Sequence, residues 1–215
     1  MTPKSSQISD ESAAGRRLRV LFITEESATQ VAPGKVMHAE NLYKGSFLEV
    51  SRFLDELRSI GEVKLLILSS SKGVVSGEDM LTAYTAAPAS RIPPQTAAKA
   101  LNRAIRQARD EGAVVIVALS YKYLRWVIEP GTGVGLLASL VDSGLAVVTG
   151  GQTVGSLSVY AQTHGCPWLI LHRVGVARVG QKNRQAILRW LLPENESIVV
   201  AESVPAGQIH VREGG

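Results

Sequence analysis

The sequence predicts a three-layer α/β domain of Rossmann-like type, with a mostly parallel sheet of about six strands. Two observations carry that prediction. Short continuous apolar runs, the mark of strands covered on both faces, recur along the chain, and stretches of helical periodicity separate them. A third feature, the abrupt change from apolar to small polar residues where several runs end, points to a polar rim at one edge of the sheet.

The chain has 215 residues, 45% of them hydrophobic and 20% charged, enough to bury one sizeable core. Residues 1–15 are polar with little to bury and read as a disordered tail. Residues 16–204 read as a single domain and residues 205–215 as a loose end. The N-terminus has no apolar centre, so no signal peptide is expected, and no apolar run is long enough to span a bilayer. With a single cysteine, Cys166, a reducing, cytoplasmic setting without membrane contact is expected. The net charge of +4 is compatible with RNA or DNA as a partner and equally with a basic enzyme.

The first run is Val20–Ile23, ending at Thr24-Glu25-Glu26-Ser27. From Ala39 to Ile60 the pattern is helical, with Phe47, Val50, Leu54 and Leu57 on one stripe, an expected break at Gly45 and a stop at Gly61. Val63–Leu68 is the second strand, ending in Ser69-Ser70-Ser71-Lys72-Gly73. The stretch to about Gln95 holds Gly73, Gly77, Pro88, Pro93 and Pro94 and reads as a long irregular segment.

Ala97–Asp110 returns to helix, with Ala98, Leu101, Ile105 and Ala108 inward and Lys99, Arg103 and Arg106 outward. Ala113–Ser120 is the third strand, ending at Ser120-Tyr121-Lys122-Tyr123, and a helical turn and the glycine-rich Gly131–Gly135 follow it. Leu145–Gly151 is the fourth strand, with a helix from Thr153 to Gly165. Pro167–Gly175 is the fifth strand, Gln181–Pro193 an amphipathic helix, and Ser197–Ser203 a sixth strand. Strand order is not legible in this pattern.

Ligands of open parallel sheets sit beyond the carboxyl ends of the strands. That rule selects the residues to weigh. Gly150, Gly151, Gln152 and Thr153 lead from a strand into a helix, where backbone N–H groups and the helix dipole suit an anion such as phosphate. The bland alternative is a tight turn with Thr153 as the helix cap. Ser70, Lys72 and Gly73 offer hydroxyl, cation and flexibility, with Glu78 and Asp79 beyond, and Tyr121 and His172 complete the ligand-binding set.

Glu25 and Glu26 point oppositely on an extended segment. Glu25 is the candidate catalytic base if buried; otherwise both acids are solvated. The four histidines lack metal spacing, no serine-nucleophile elbow is present, and the sequence leaves the cofactor unknown. Cys166 reads as a small core residue and His164 as a helix-end histidine. The Lys99, Arg103, Arg106 face is a candidate for a nucleic-acid backbone or else a solvated helix face.

Leu42–Phe47 (LYKGSF), followed by a strand and by LSSSKGVVSGEDMLTAY, resembles a family of Rossmann-like domains. Similar segments occur in domains attached to archaeal tRNA-ribosyltransferase-type proteins. The resemblance covers about residues 18–125 and includes Gly73-Val74, an acid a few residues on, and Tyr84. Relatives carry a cysteine or serine followed by a basic residue after the first strand, where this chain has Thr24-Glu25-Glu26-Ser27. The resemblance implies association with nucleobases, nucleotides or modified RNA.

Three functional readings follow. The first is a protein binding a nucleotide or nucleobase-like, phosphate-containing small molecule, with glycosyl or phosphate chemistry as its reaction class. The second is an RNA-binding accessory domain, and the third a structural module. Association into a homo-oligomer stays open in each.

Overall fold

A computed structural model describes residues 17–84, 94–125, 127–128, 135–173 and 179–192. In chain order, β1 is Leu18–Glu25, β2 Val36–His38, α1 Ala39–Leu42 and α2 Leu48–Ile60. Then follow β3 Gly61–Ser69, β4 Gly73–Ser76, β5 Met80–Thr82 and α3 Pro94–Asp110. The remainder is β6 Val114–Ala118, α4 Tyr121–Leu124, β7 Leu145–Thr149, α5 Gly151–His164, β8 Trp168–His172 and α6 Gln181–Leu191.

The main sheet has six strands in the order β4-β3-β1-β6-β7-β8. Five are parallel, and β4 runs antiparallel at the β3 edge. The expected six-stranded, mostly parallel sheet is therefore present, but its sixth member differs. β4 lies inside the segment read as irregular, whereas Ser197–Ser203 falls outside the described residues. The tight turn that returns β4 onto β3 depends on Gly73 at φ 80°, a left-handed conformation that costs a glycine little. Four residues with that turn carry no period long enough to announce a strand.

The sheet divides the core in two. Phe22, Ile67, Ile116 and Val148 point to the face covered by α1, α2 and α6, where Phe47, Phe53, Leu57 and Ile187 pack on them. Ile23, Leu68, Val117 and Val147 point to the face covered by α3 and α5, meeting Leu101, Ile105 and Leu157. Alternate strand residues thus feed opposite cores, which is why these strands read as continuous apolar runs.

The long helical pattern from Ala39 breaks where expected. Gly45 sits at φ 63° between α1 and α2, and Gly45–Phe47 form a single 3-10 turn. Pro94 opens α3, a position where its missing N–H costs nothing. On the opposite face α6 is tied to α2 through Arg184, which is buried and paired with Glu49 and Glu56.

Two glycines calibrate the packing. A Cβ on Gly61 would lie 2.3 Å from Leu18 O, because β1 and β3 begin side by side there. A Cβ on Gly155, mid-α5, would meet nothing within 4 Å. Gly61→Ala is therefore expected to destabilise the fold by at least about 2 kcal/mol, and Gly155→Ala to stabilise it by about 0.5–1 kcal/mol. Urea unfolding midpoints of the two variants check both signs.

Candidate functional site

In a sheet of this order the connection from β1 goes one way, to β3, and the chain then returns to the other side, to β6. The edge beyond the carboxyl ends of β1 and β6 is the topological switch point of the fold. Glu25 and Glu26 close β1 there, and Ser120 to Tyr123 follow β6.

The two acids point oppositely; Glu25 is buried and Glu26 half-buried, and both are hydrogen-bonded within the protein. Glu25 is 5% exposed. Its Oε2 accepts hydrogen bonds from Ser120 N at 2.7 Å and Ser120 Oγ at 2.6 Å. Its Oε1 lies 4.0 Å from Arg173 Nη1. Since Arg173 follows β8, its side chain crosses the ends of β7 and β6 to reach β1. The expectation of two solvated glutamates fails because both flanking strands supply donors at that depth.

Glu26 turns to the other side and is the centre of a hydroxyl cluster. Its Oε1 accepts from Ser70 N at 2.8 Å, Ser70 Oγ at 2.6 Å and Tyr123 OH at 2.7 Å. Its Oε2 accepts from Ser69 Oγ at 2.6 Å and Tyr84 OH at 2.8 Å. With the Ser69 and Tyr84 protons directed to the carboxylate, Ser69 Oγ is left to accept from Ser71 N and Lys72 N. Tyr84 OH likewise accepts from Tyr43 OH at 3.0 Å. One side chain thereby joins β1, the β3–β4 turn, α4 and Tyr84, two residues beyond β5.

Burial pushes the Glu26 carboxyl upward, but donation from Ser69, Ser70 and Tyr123 outweighs it and holds the group below its ordinary value. The tyrosines move the other way. Burial raises Tyr123, and donation to Glu26 raises it further. Burial also raises Tyr84 and Tyr43.

The remaining predicted residues divide into groups. Ser70 belongs to the Glu26 cluster. Lys72 is exposed, with its ammonium 5.3 Å from the Tyr84 ring centre, and Lys122 sits 4.8 Å from that of Tyr123. These are cation–π contacts on the rim of the cluster. Gly73 serves the β4 turn, and Tyr121 opens α4 with its side chain 63% exposed.

Gly150 is the N-cap of α5 and Gly151 its first residue; Thr153 lies half-buried inside the first turn rather than capping it. The side chain of Gln152 lies outside the described residues. The His172 ring packs on Gly151, with Nε2 3.3 Å from where a Cβ would stand. Lys99, Arg103 and Arg106 are all exposed on α3, separate from the switch point, and line a shallow groove there with Asp110 and Glu111.

Cys166 is half-exposed rather than a core residue, since it precedes β8 at the sheet margin. His164 accepts the helix-end role, with Nδ1 3.0 Å from Tyr160 O.

A second cavity, of about 510 Å3, lies at the amino ends of β1 and β3, lined by Arg19, Glu62, Lys64, Gln107 and Glu111 among others. β4 pairs only with Leu66–Ser69, and among the described residues no strand pairs with the start of β3 on that side. The strand directions of a parallel sheet favour the other end for ligands.

Among the described residues no group of three or more His, Cys, Asp or Glu is placed to hold a metal, and no helix is long and apolar enough to cross a membrane. Comparison with family models, curated proteins and solved structures gave no match for the chain.

The Glu26 cluster was not assembled from the sequence. Its members are 15 to 58 residues apart where Tyr84 meets Ser69 and Glu26, and 97 apart where Tyr123 meets Glu26. The available signals were the opposite orientation of neighbouring glutamates and the Tyr84 of the family resemblance.

The pH dependence of stability follows from these shifts. A carboxyl depressed in the folded state contributes stability above its unfolded value, near 4.5, and loses it as pH falls through the folded value. A tyrosine raised in the folded state contributes below 10 and loses that contribution as pH rises beyond it. Thermal stability is thus expected to hold between about pH 5 and 10 and fall on either side. Glu26→Gln is expected to cost about 2–3 kcal/mol near neutrality and to flatten the acid limb. Tyr123→Phe is expected to soften the alkaline limb, and melting curves across pH read both effects.

Proposed function

We propose that the chain binds a nucleotide or nucleobase-like, phosphate-containing ligand at the carboxyl edge of the sheet and carries out glycosyl or phosphate chemistry there. The observation that supports this most is the switch point between β1 and β6, with polar side chains of four strand ends converging on it. In this reading the anionic group lies at the amino end of α5, beside Gly150 and Gly151, with His172 at one flank. Arg173 adds positive charge to the same edge. Lys72 and Tyr121, exposed on the rim, recognise the polar part of the ligand. Glu25 is the candidate base; a substrate reaches it by taking the place of the Ser120 hydroxyl.

A panel of nucleotides, nucleosides and phosphosugars tests the reading by thermal shift. A ligand at a hundred times its Kd is expected to add about 2.7 kcal/mol, raising Tm by about 5–10 °C for a chain of this size. A shift with nucleotides but not nucleosides assigns recognition to the phosphate. Gly150→Asp is the informative variant. Its Cβ meets nothing within 4 Å, and an N-cap aspartate supports the helix, while its charge repels an anion. The apo protein is expected to keep or gain stability and to lose the ligand shift. No shift across the panel counts against the proposal.

A second reading rests on a separate observation, the common exposed face of Lys99, Arg103 and Arg106 on α3. As an RNA-binding accessory domain the protein would bind tRNA with an affinity that falls steeply with salt. Reversal of these three charges is expected to weaken that binding at least about 10-fold at 50 mM salt. Unchanged binding in a filter assay removes the face from consideration.

A further inference from the structure

β8 ends the main sheet on one side: among the described residues no strand lies beyond it. Such an edge is usually blunted by proline, lysine, a bulge or a covering element. Trp168-Leu169-Ile170-Leu171 carries none of the first three, and all four apolar side chains are only half-buried.

The backbone of this edge has a definite pattern. Arg173 N–H donates to Thr149 O across the β7 side. By the two-residue period, Leu169 and Leu171 turn their backbone groups toward β7, and Trp168, Ile170 and His172 turn theirs outward. Two of the outward groups are already engaged, Trp168 N with Cys166 O at 2.8 Å and His172 O with Asn183 Nδ2 at 3.2 Å. That leaves Trp168 O, Ile170 N, Ile170 O and His172 N.

We infer that this edge is the interface to a second copy of the chain, β8 pairing antiparallel with β8 of the partner about a two-fold axis at Ile170. In that register Ile170 N and O exchange two hydrogen bonds with the partner's Ile170. His172 N donates to Trp168 O of the partner subunit, and the reverse bond follows by symmetry. The remaining groups are all used, and the two already engaged are not needed. Leu169 and Leu171 extend the core of one face across the boundary, and Trp168 and Ile170 that of the other.

The chain's own continuation is a poorer occupant. α5 covers one face in the step from β7 to β8, but α6 lies on the opposite face with α2. The end of α6 is at the amino end of the strands, where Trp190 lies against Gly144. A strand following α6 and placed parallel beyond β8 would make a left-handed crossover, found in only about 2% of cases.

The test is the mass of the full chain by light scattering at about 50 µM, well above a Kd of about 1 µM. A mass of twice 23.0 kDa is expected. Ile170→Lys, which places a charge on the axis, is expected to weaken association at least 10-fold. As a second measurement, Cys166→Ser with Ile170→Cys is expected to form an intersubunit disulfide on mild oxidation. Facing residues of a hydrogen-bonded pair stand about 5.5 Å apart, within disulfide range. A 23.0-kDa mass for the unmodified chain overturns the inference. A dimer that Ile170→Lys leaves intact, or that the cysteine variant does not cross-link, overturns it as well.

Discussion

The carboxylate of Glu26 is the interaction on which the upper edge of this sheet depends. Glu26 is half-buried, and a carboxylate withdrawn from water to that extent is costly unless its lone pairs are occupied. Here serine and tyrosine hydroxyls and a backbone N–H occupy them. The donors come from the end of β3 and the turn after it, from α4, and from Tyr84 two residues beyond β5. Meeting the needs of one ionised group therefore fixes the relative positions of several loops, all at the switch point.

Glu25, one residue earlier, performs the same service on the opposite side, holding Ser120 and pairing with Arg173 from the far edge of the sheet. The two neighbours act in different compartments because successive residues of a strand face opposite ways. A rim built in this manner is preorganised: its donors and acceptors hold one another in place. The open amino end of α5 beside His172 adds what the acids lack, a place suited to negative charge.

Beneath the rim the architecture is ordinary in its physics. The inner strands bury side chains on both faces, and the helices divide between two cores according to the alternation of those side chains. The less regular features occur at the margins. β4 is a short antiparallel addition that leaves the start of β3 open, and β8 is an apolar edge.

What the sequence alone determined was the repeating alternation of apolar strand and amphipathic helix, and so the three-layer class. Val20–Ile23, Leu65–Leu68 within the second strand and Val114–Ala118 within Ala113–Ser120 were legible because burial on both faces demands an unbroken apolar run. The break at Gly45 was legible because a glycine weakens a helix wherever it stands. β4 was not, since four residues paired through a tight turn carry too little periodic signal. Tertiary structure decided the strand order, and with it which loops share the switch point. It also decided that Glu26, Ser69, Tyr84 and Tyr123 belong together, for a hydrogen-bond cluster is a relation among distant residues and leaves no period in the chain.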